Sequence, residues 1–387
     1  MPLRFFTAGE SHGKGIWAFI EGLPANLKVD ISFINEELKR RQKGYGRGGR
    51  MRIESDEVEI YSGIRFGKTL GSPITLFVKN RDWENWRSKM CVEENGDIEV
   101  QPFKRPRPGH ADLAGGLKFN QRDLRNILER ASARETVGRV CAGALCKLFL
   151  GEFGIKIGSY VTNIGGFEPE IKESDLIKRH ELAERSEVRF PDPSMDDAFK
   201  RIIDEAKYKG ESLGGVFEVF AVGVPPGLGS HIQWDKRIDG KIAQAIMSIQ
   251  AIKGVEIGLG FESAKRVGSE VHDEIGWAKD KGFFRFSNNL GGTEGGITNG
   301  MPIIVRAVMK PIPTLAKPLR SIDIETKEEV KAGKERSDVI AVPSASVVAE
   351  SMLAIVLADA LIEKLGGDFM EEMKERYERY IDHIMNF

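Results

Sequence analysis

Two histidines sit in turns that would present an imidazole. His12 lies in Gly9-Glu10-Ser11-His12-Gly13, between the apolar runs at residues 3–7 and 16–20. His110 lies in Arg107-Pro108-Gly109-His110-Ala111-Asp112, where Pro and Gly favour a turn. An imidazole of ordinary pKa near ~6.5 exchanges protons at neutral pH, so both are acid–base candidates. The plain alternative for His12 is a solvated hairpin turn. A nucleophile elbow does not fit, because the run after His12 reads as strand and the elbow needs a helix there.

Arginines surround these turns. Arg130-Ala131-Ser132-Ala133-Arg134-Glu135-Thr136 enters a helix-spaced apolar run, Val137, Val140, Cys141, Ala144, Leu145 and Leu148. Residues 40–52 form a Gly/Arg loop, and residues 287–300 are rich in glycine. A helix start with arginine forks binds carboxylate or phosphate. The residues alone therefore point to an enzyme acting on a small phosphorylated anion. His180, His231, His272 and His383 stand in charged or helical surroundings and read as structural or surface residues. Cys91, Cys141 and Cys146 have no metal spacing and read as structural thiols, and no metal site is expected.

The positioning elements follow from periodicity. Strands are expected near residues 3–7, 16–20, 57–61, 74–78, 157–164, 216–222, 255–257 and 301–308. Helices are expected after Asp30, from 137 onward, across 195–206 and 238–249, over 344–365 and over 370–384. The 344–365 helix is apolar nearly all round, so it belongs in the domain centre or between subunits. Twice, an Arg-bearing segment precedes such a helix, a hint of internal duplication. Residues 83–106 form a polar excursion with Trp83 and Trp86, read as a flap. No low-complexity linker divides the chain, so residues 1–387 are read as one α+β domain. Regular strand–helix alternation for a TIM barrel or Rossmann fold is missing.

Composition narrows the partners. The chain carries a net charge of −1, with 41% hydrophobic and 30% charged residues, so general attraction to nucleic acid or anionic membrane is not expected. RNA binding by the 40–52 loop is the competing non-enzymatic reading. No apolar run is expected to reach the ~18 residues of a membrane span. The first ten residues lack a signal-peptide layout, so a cytoplasmic protein is expected.

The motifs around His12, around His110, at 130–136 and at Arg336-Ser337-Asp338 resemble those of the chorismate synthases. So do Gly44-Tyr45-Gly46-Arg47-Gly48, Gly254-Val255-Glu256-Ile257-Gly258 and Gly291-Gly292-Thr293-Glu294-Gly295-Gly296-Ile297, in the same order. The resemblance implies helices sandwiched between antiparallel β-sheets, a homotetramer, and the last step of the shikimate pathway. In that step 5-enolpyruvylshikimate 3-phosphate loses phosphate and a ring hydrogen by anti 1,4-elimination, giving chorismate. Reduced FMN is required without net redox change, supplied through NADPH or an external flavin reductase. An NADPH-dependent flavin oxidoreductase acting on a small phosphorylated anion is the alternative.

By resemblance, His12 is the acid for the departing phosphate. His110 protonates or polarises reduced flavin, and Asp338 relays a proton near it. Arg130, Ala131, Ser132, Gln250, Ala251, Gly295, Lys310, Pro311, Ile312, Pro313, Thr314 and Arg336 match flavin-binding positions. Arg41 and Arg47 match positions for NADP or a substrate anion. Ser11, Arg50, Arg107 and Arg134 are further substrate candidates.

Overall fold

The structure, a computed structural model, describes residues 2–47, 55–93, 100–333 and 338–387. Two four-stranded antiparallel sheets enclose a layer of helices. The first sheet is built from β1 (Arg4–Ala8), β2 (Gly15–Glu21), β3 (Val58–Ser62) and β4 (Ile74–Lys79), in spatial order β1-β2-β4-β3. The second comprises β5 (Lys156–Ile164), β6 (Gly215–Val222), β7 (Ile252–Ile257) and β8 (Ile303–Met309), in order β5-β6-β8-β7. Each sheet thus places its strands first, second, fourth, third, an agreement in topology between the two parts flagged by the paired Arg segments.

Alternation along the strands sets the layers. In β2, Ile16, Ala18 and Ile20 are buried, while Trp17 and Phe19 face outward. The outward face joins Phe6 to Phe19 at 4.8 Å and Trp17 to Phe77 at 4.4 Å and Tyr61 at 5.2 Å.

The helices are α1 (Ile31–Gln42), α2 (Asp112–Phe119), α3 (Arg125–Ala131), α4 (Thr136–Gly151), α5 (Leu176–Arg185), α6 (Asp196–Tyr208), α7 (Ile238–Met247), α8 (Val342–Leu365) and α9 (Met370–Met385). Asp30 caps α1 by accepting from the Ser32 and Phe33 amides, and Lys39, Arg40 and Arg41 complement the dipole at its other end. α4 packs on β2 and β4, α8 packs on β5 and β6, and the two helices pack on each other. Their crossing is close: a Cβ at Gly143 would come within 2.3 Å of the Ser351 Cβ, so only glycine fits.

α8 corrects the expectation about apolar runs. It is long and apolar enough by length and composition to cross a membrane. Yet 94% of its most apolar stretch is buried inside the protein, which makes it the core rod of the sandwich. Inside that core, Glu350 accepts from Arg40 at 2.8 and 2.9 Å, from Lys147 at 2.5 Å and from Ser159 Oγ at 2.5 Å. Arg189 adds a contact at 3.3 Å. His180, Glu184 and Glu350 lie close enough together to hold a metal, but Arg40 and Arg189 already pair with both carboxylates. His180 is therefore part of an ionic cluster rather than a solvated surface residue. Burial pushes the Cys141 thiol up to about 12, in keeping with an inert core residue.

Candidate active site

The β1–β2 hairpin presents Ser11 and His12, and the turn is pinned from outside. Ser11 N–H donates to the Glu129 carbonyl at 3.0 Å, and Asn80 Nδ2 donates to the Gly13 carbonyl at 2.9 Å. His12 is not a solvated turn residue. Its amide donates to Glu129 Oε2 at 2.8 Å, and its Nδ1 lies 2.9 and 3.0 Å from the two Glu129 oxygens. Burial alone would raise the Glu129 carboxyl. The hydrogen bond and charge of His12, with Arg125 at 3.2 Å, hold it below its ordinary value instead. Trp86, at the start of the 83–106 excursion, stacks on the His12 ring with centroids 3.8 Å apart.

His110 has a matching arrangement. Its Nδ1 is 2.6 Å from Asp112 Oδ1, at the first residue of α2. Arg107 grips the other Asp112 oxygen through Nε at 2.9 Å and through its amide at 3.0 Å. It also donates to Thr314 Oγ1 at 2.9 Å. Burial opposes ionisation of Asp112, but hydrogen bonds from His110 and Arg107 hold it far below the usual carboxylate range. Arg107, read from sequence as a substrate contact, is here engaged in bracing the His110 turn.

A buried cationic cluster lies between helices and loops. Arg41 and Arg134 share Asp56, at 2.9 and 2.7 Å. Arg47 donates to Ser344 Oγ at 2.6 Å and lies 3.3 Å from Asp338, while Ser344 Oγ donates to the Arg41 carbonyl. Burial, with Arg134 and Arg47 crowded nearby, pulls the Arg41 guanidinium below its usual range despite Asp56. Among the described residues three guanidinium groups thus gather around Asp56 and Asp338, a chemistry suited to carboxylate and phosphate.

The remaining predicted residues join the two histidines. Arg130 donates to the Thr7 and Gly9 carbonyls at 2.9 and 3.1 Å, Ala131 ends α3, and Ser132 Oγ donates to Ser11 Oγ at 3.2 Å. Glu135 accepts from Thr7 Oγ1 at 2.6 Å and from Gln250 Nε2 at 3.0 Å. The Lys310 amide donates to the Ala251 carbonyl at 2.9 Å, and Lys310 Nζ donates to the Gly109 carbonyl at 2.9 Å, one residue from His110. Burial, with Lys253 nearby, pulls the Lys310 ammonium below its usual range. Pro311 and Pro313 stiffen the turn, and Ile312 offers its carbonyl to Ser212 Oγ at 2.6 Å.

Gly295 turns a short hairpin beside Arg237, and among the described residues nothing lies within 4 Å of a Cβ built on it. Arg50, Arg336 and Gly48 lie outside the described residues, as does part of the excursion at 94–99.

Sequence reasoning missed Glu129, Asp56 and Trp86 as parts of this site. Asp112 carried a signal, standing two residues after His110 in the same motif. Glu129 carried none, being 117 residues from its imidazole.

The fold and the chemistry define a class: an α+β sandwich enzyme whose buried arginines suit a small, multiply charged anion. A sequence model described as "Chorismate synthase" matches residues 3–362. The chorismate synthase of Aquifex aeolicus (strain VF5) is 70% identical over 393 residues, covering 100% of this chain and 99% of that one. Those of Sulfurihydrogenibium sp. (strain YO3AOP1) and Enterococcus faecalis (strain ATCC 700802 / V583) are 60% and 55% identical, covering 100% of each chain. A solved structure titled "Crystal Structure of Chorismate Synthase" superposes with a TM-score of 0.83 at 59% identity, covering 100% of this chain and 99% of that one. The chain belongs to the chorismate synthase family, and with it to the lyases of aromatic biosynthesis. Membership supports elimination and not the oxidoreductase alternative.

Proposed function

We propose that this chain converts 5-enolpyruvylshikimate 3-phosphate to chorismate by anti 1,4-elimination of phosphate, using reduced FMN. The observation that carries this reading is the placing of a carboxylate-anchored His12 beside Ser11 and Ser132, next to a buried cluster of arginines. His12 donates a proton to the departing phosphate oxygen. Arg41, Arg47 and Arg134 hold the substrate's carboxylates and phosphate, each charge-assisted hydrogen bond being worth roughly 1.5–3 kcal/mol. Asp338, 3.3 Å from Arg47, relays the ring proton.

A flavin fits the residues between the histidines. Gln250 Oε1 is buried with no donor among the described residues, an acceptor for a ligand N–H. The adjoining Ala251 carbonyl is tied to the Lys310 amide, and the Lys310 ammonium gives a cation beside it. Arg130, Ser132, Gln250, Ala251 and the turn at 310–314 would hold the group, with Arg336 and Gly295 as further contacts. When bound, reduced FMN supplies the transient electron that eases C–O cleavage. His110, braced by Asp112 and Arg107, holds a proton at its ring nitrogen toward that group. Arg41 and Arg47 are only 6% and 11% accessible at the side chain, which suits a small anion better than a dinucleotide, so an external reductase supplies reduced flavin.

The test is anaerobic. Protein with substrate and chemically reduced FMN yields chorismate, and protein with oxidised FMN plus NADPH alone does not. Product in both reactions would assign a built-in reductase, and product in neither, from folded protein that binds flavin, would sink the reading.

We further propose that residues 1–387 act as one catalytic unit, in the cytoplasm and as a homotetramer. The outward aromatic face of Phe6, Trp17, Phe19, Tyr61 and Phe77 is rimmed by Arg4, Lys79, Glu21 and Glu59, charges that sum to zero. An apolar centre with a rim of both signs suits a second copy of itself. Trp17→Asp should lower the mass seen by light scattering while leaving the circular dichroism unchanged. An unchanged mass would remove this face as an interface.

A further inference from the structure

His12 is held on two sides by groups to which the proposed chemistry gives no role. Glu129 meets it edge-on, with one carboxylate taking both the backbone amide at 2.8 Å and Nδ1 at 2.9 Å. That carboxylate is 1% accessible, so it has no alternative partner in solvent. Trp86 meets the ring face-on at 3.8 Å. The indole is itself fixed, since Trp86 Nε1 donates to Asp82 Oδ2 at 3.0 Å and the Arg125 guanidinium lies 5.2 Å from the ring centre. Arg125 also reaches Glu129 at 3.2 Å, closing the clamp through a third residue. Lys89 lies 5.3 Å from the Trp86 ring, and Glu10 and Lys14 flank the turn.

We propose that Glu129 and Trp86 are positioning residues that fix the tautomer and ring plane of His12, so that its proton exchange with the leaving phosphate runs through Nε2. The inference rests on the reading of His12 as the acid. A carboxylate on Nδ1 keeps the proton there, because the hydrogen bond is charge-assisted and buried. Nε2 is then the nitrogen that gains and loses a proton. In the elimination, the ring C–H bond breaks, its proton passing toward Asp338 and its electron pair entering the ring to form the additional double bond, while the C–O bond breaks with its electron pair going to the phosphate oxygen. The proton on Nε2 moves to that oxygen, and the imidazole is left neutral with hydrogen on Nδ1. Glu129 stays a carboxylate throughout. Trp86 stops the ring from tilting about the Cβ–Cγ bond, which gives the excursion at 83–106 a role at its first turn.

The test compares Glu129→Gln, Glu129→Asp, Trp86→Phe and Trp86→Ala in the full-length protein. Glu129→Gln should lower kcat on the order of 100-fold with little change in KM. Glu129→Asp should recover part of the loss, and Trp86→Phe should outperform Trp86→Ala. The direct readout is nitrogen NMR of labelled histidine. His12 in the unaltered protein should show one tautomer, hydrogen on Nδ1, and Glu129→Gln should show a mixture. Hydrogen on Nε2 in the unaltered protein would overturn the proposal even if the variants failed to fold. So would a Glu129→Gln enzyme with unchanged kcat and an unchanged single tautomer. If the unaltered protein fails to form chorismate, the functional reading falls, while the tautomer still decides whether the clamp exists.

Discussion

His12→Ala should lower kcat by about 10²–10⁴-fold while KM for the phosphorylated substrate stays nearly constant. In transition-state terms this is about 3–5 kcal/mol. The residues proposed to hold substrate anions, Arg41, Arg47 and Arg134, are anchored on Asp56, Asp338 and Ser344 rather than on His12, so ground-state binding survives. The flavin segment likewise hangs on Thr7, Glu135, Gln250 and Lys310. A second variant separates chemistry from architecture. His12→Asn keeps a donor near Glu129 but cannot act as an acid at neutral pH, so it should fold well and remain slow. Steady-state kinetics with pre-reduced flavin, alongside thermal melting, provide the check. Turnover like that of the unaltered protein in both variants would end the assignment of His12 as acid.

Glu350→Ala should be the most destabilising single change considered, at about 3–5 kcal/mol. That is a large share of the roughly 5–15 kcal/mol that holds a typical protein folded. The substitution leaves Arg40, Lys147 and Arg189 in the core without their shared carboxylate, with Glu37 and Glu184 remaining among the described residues to balance them. Burial would raise the Glu350 carboxyl, but the Arg40 and Lys147 charges overcome it and hold it well below its ordinary 4.5. Glu184, between Arg189 and Arg40, is lowered to about 2. Both carboxyls take up protons less readily folded than unfolded. Their contribution is therefore complete above the ordinary carboxylate range and is lost as pH falls below about 4.5 toward the folded values. Denaturant titrations at about pH 7 and about pH 3.5 should show a clear loss of stability in acid, and a smaller loss for Glu350→Ala. Equal stability of the variant at neutral pH would refute the cluster's importance.

The two histidine turns were legible in sequence because Gly and Pro mark turns whatever the rest of the chain does. Asp30 as a cap and the apolar period of α4 were legible for the same local reason. Glu129 was not, because nothing in a seven-residue helix marks which acid will meet a turn far upstream. Asp56 follows the Gly/Arg loop, and only the fold brings Arg41 and Arg134 onto it from opposite directions. The sheet order was equally hidden, since β4 inserts between β2 and β3 and β8 between β6 and β7. Flavin binding entered through resemblance alone. An acceptor such as Gln250 Oε1 becomes informative only once its surroundings show that no donor among the described residues reaches it. The apolar length of α8 is hidden in sequence because Ser residues, Glu350 and Asp359 break the run to the eye, while mean hydropathy over the stretch stays at 2.0.

The position of α8 along the chain has a consequence for how the protein comes into being. Both sheets rest on helices, and the rod that receives the second sheet and α4 spans Val342–Leu365 of 387 residues. The contact from Glu350 to Arg40 joins residues 310 apart, and Leu3 N–H reaches Asp359 across 356. A ribosome adding roughly 5–20 residues per second leaves the inner face of the second sheet, and the face of α4 that meets α8, uncovered until residues 342–365 emerge. The sandwich closes only at the end, in one late event, with strand edges and apolar faces waiting until then. Truncation before residue 342 therefore removes the element on which the whole architecture shuts.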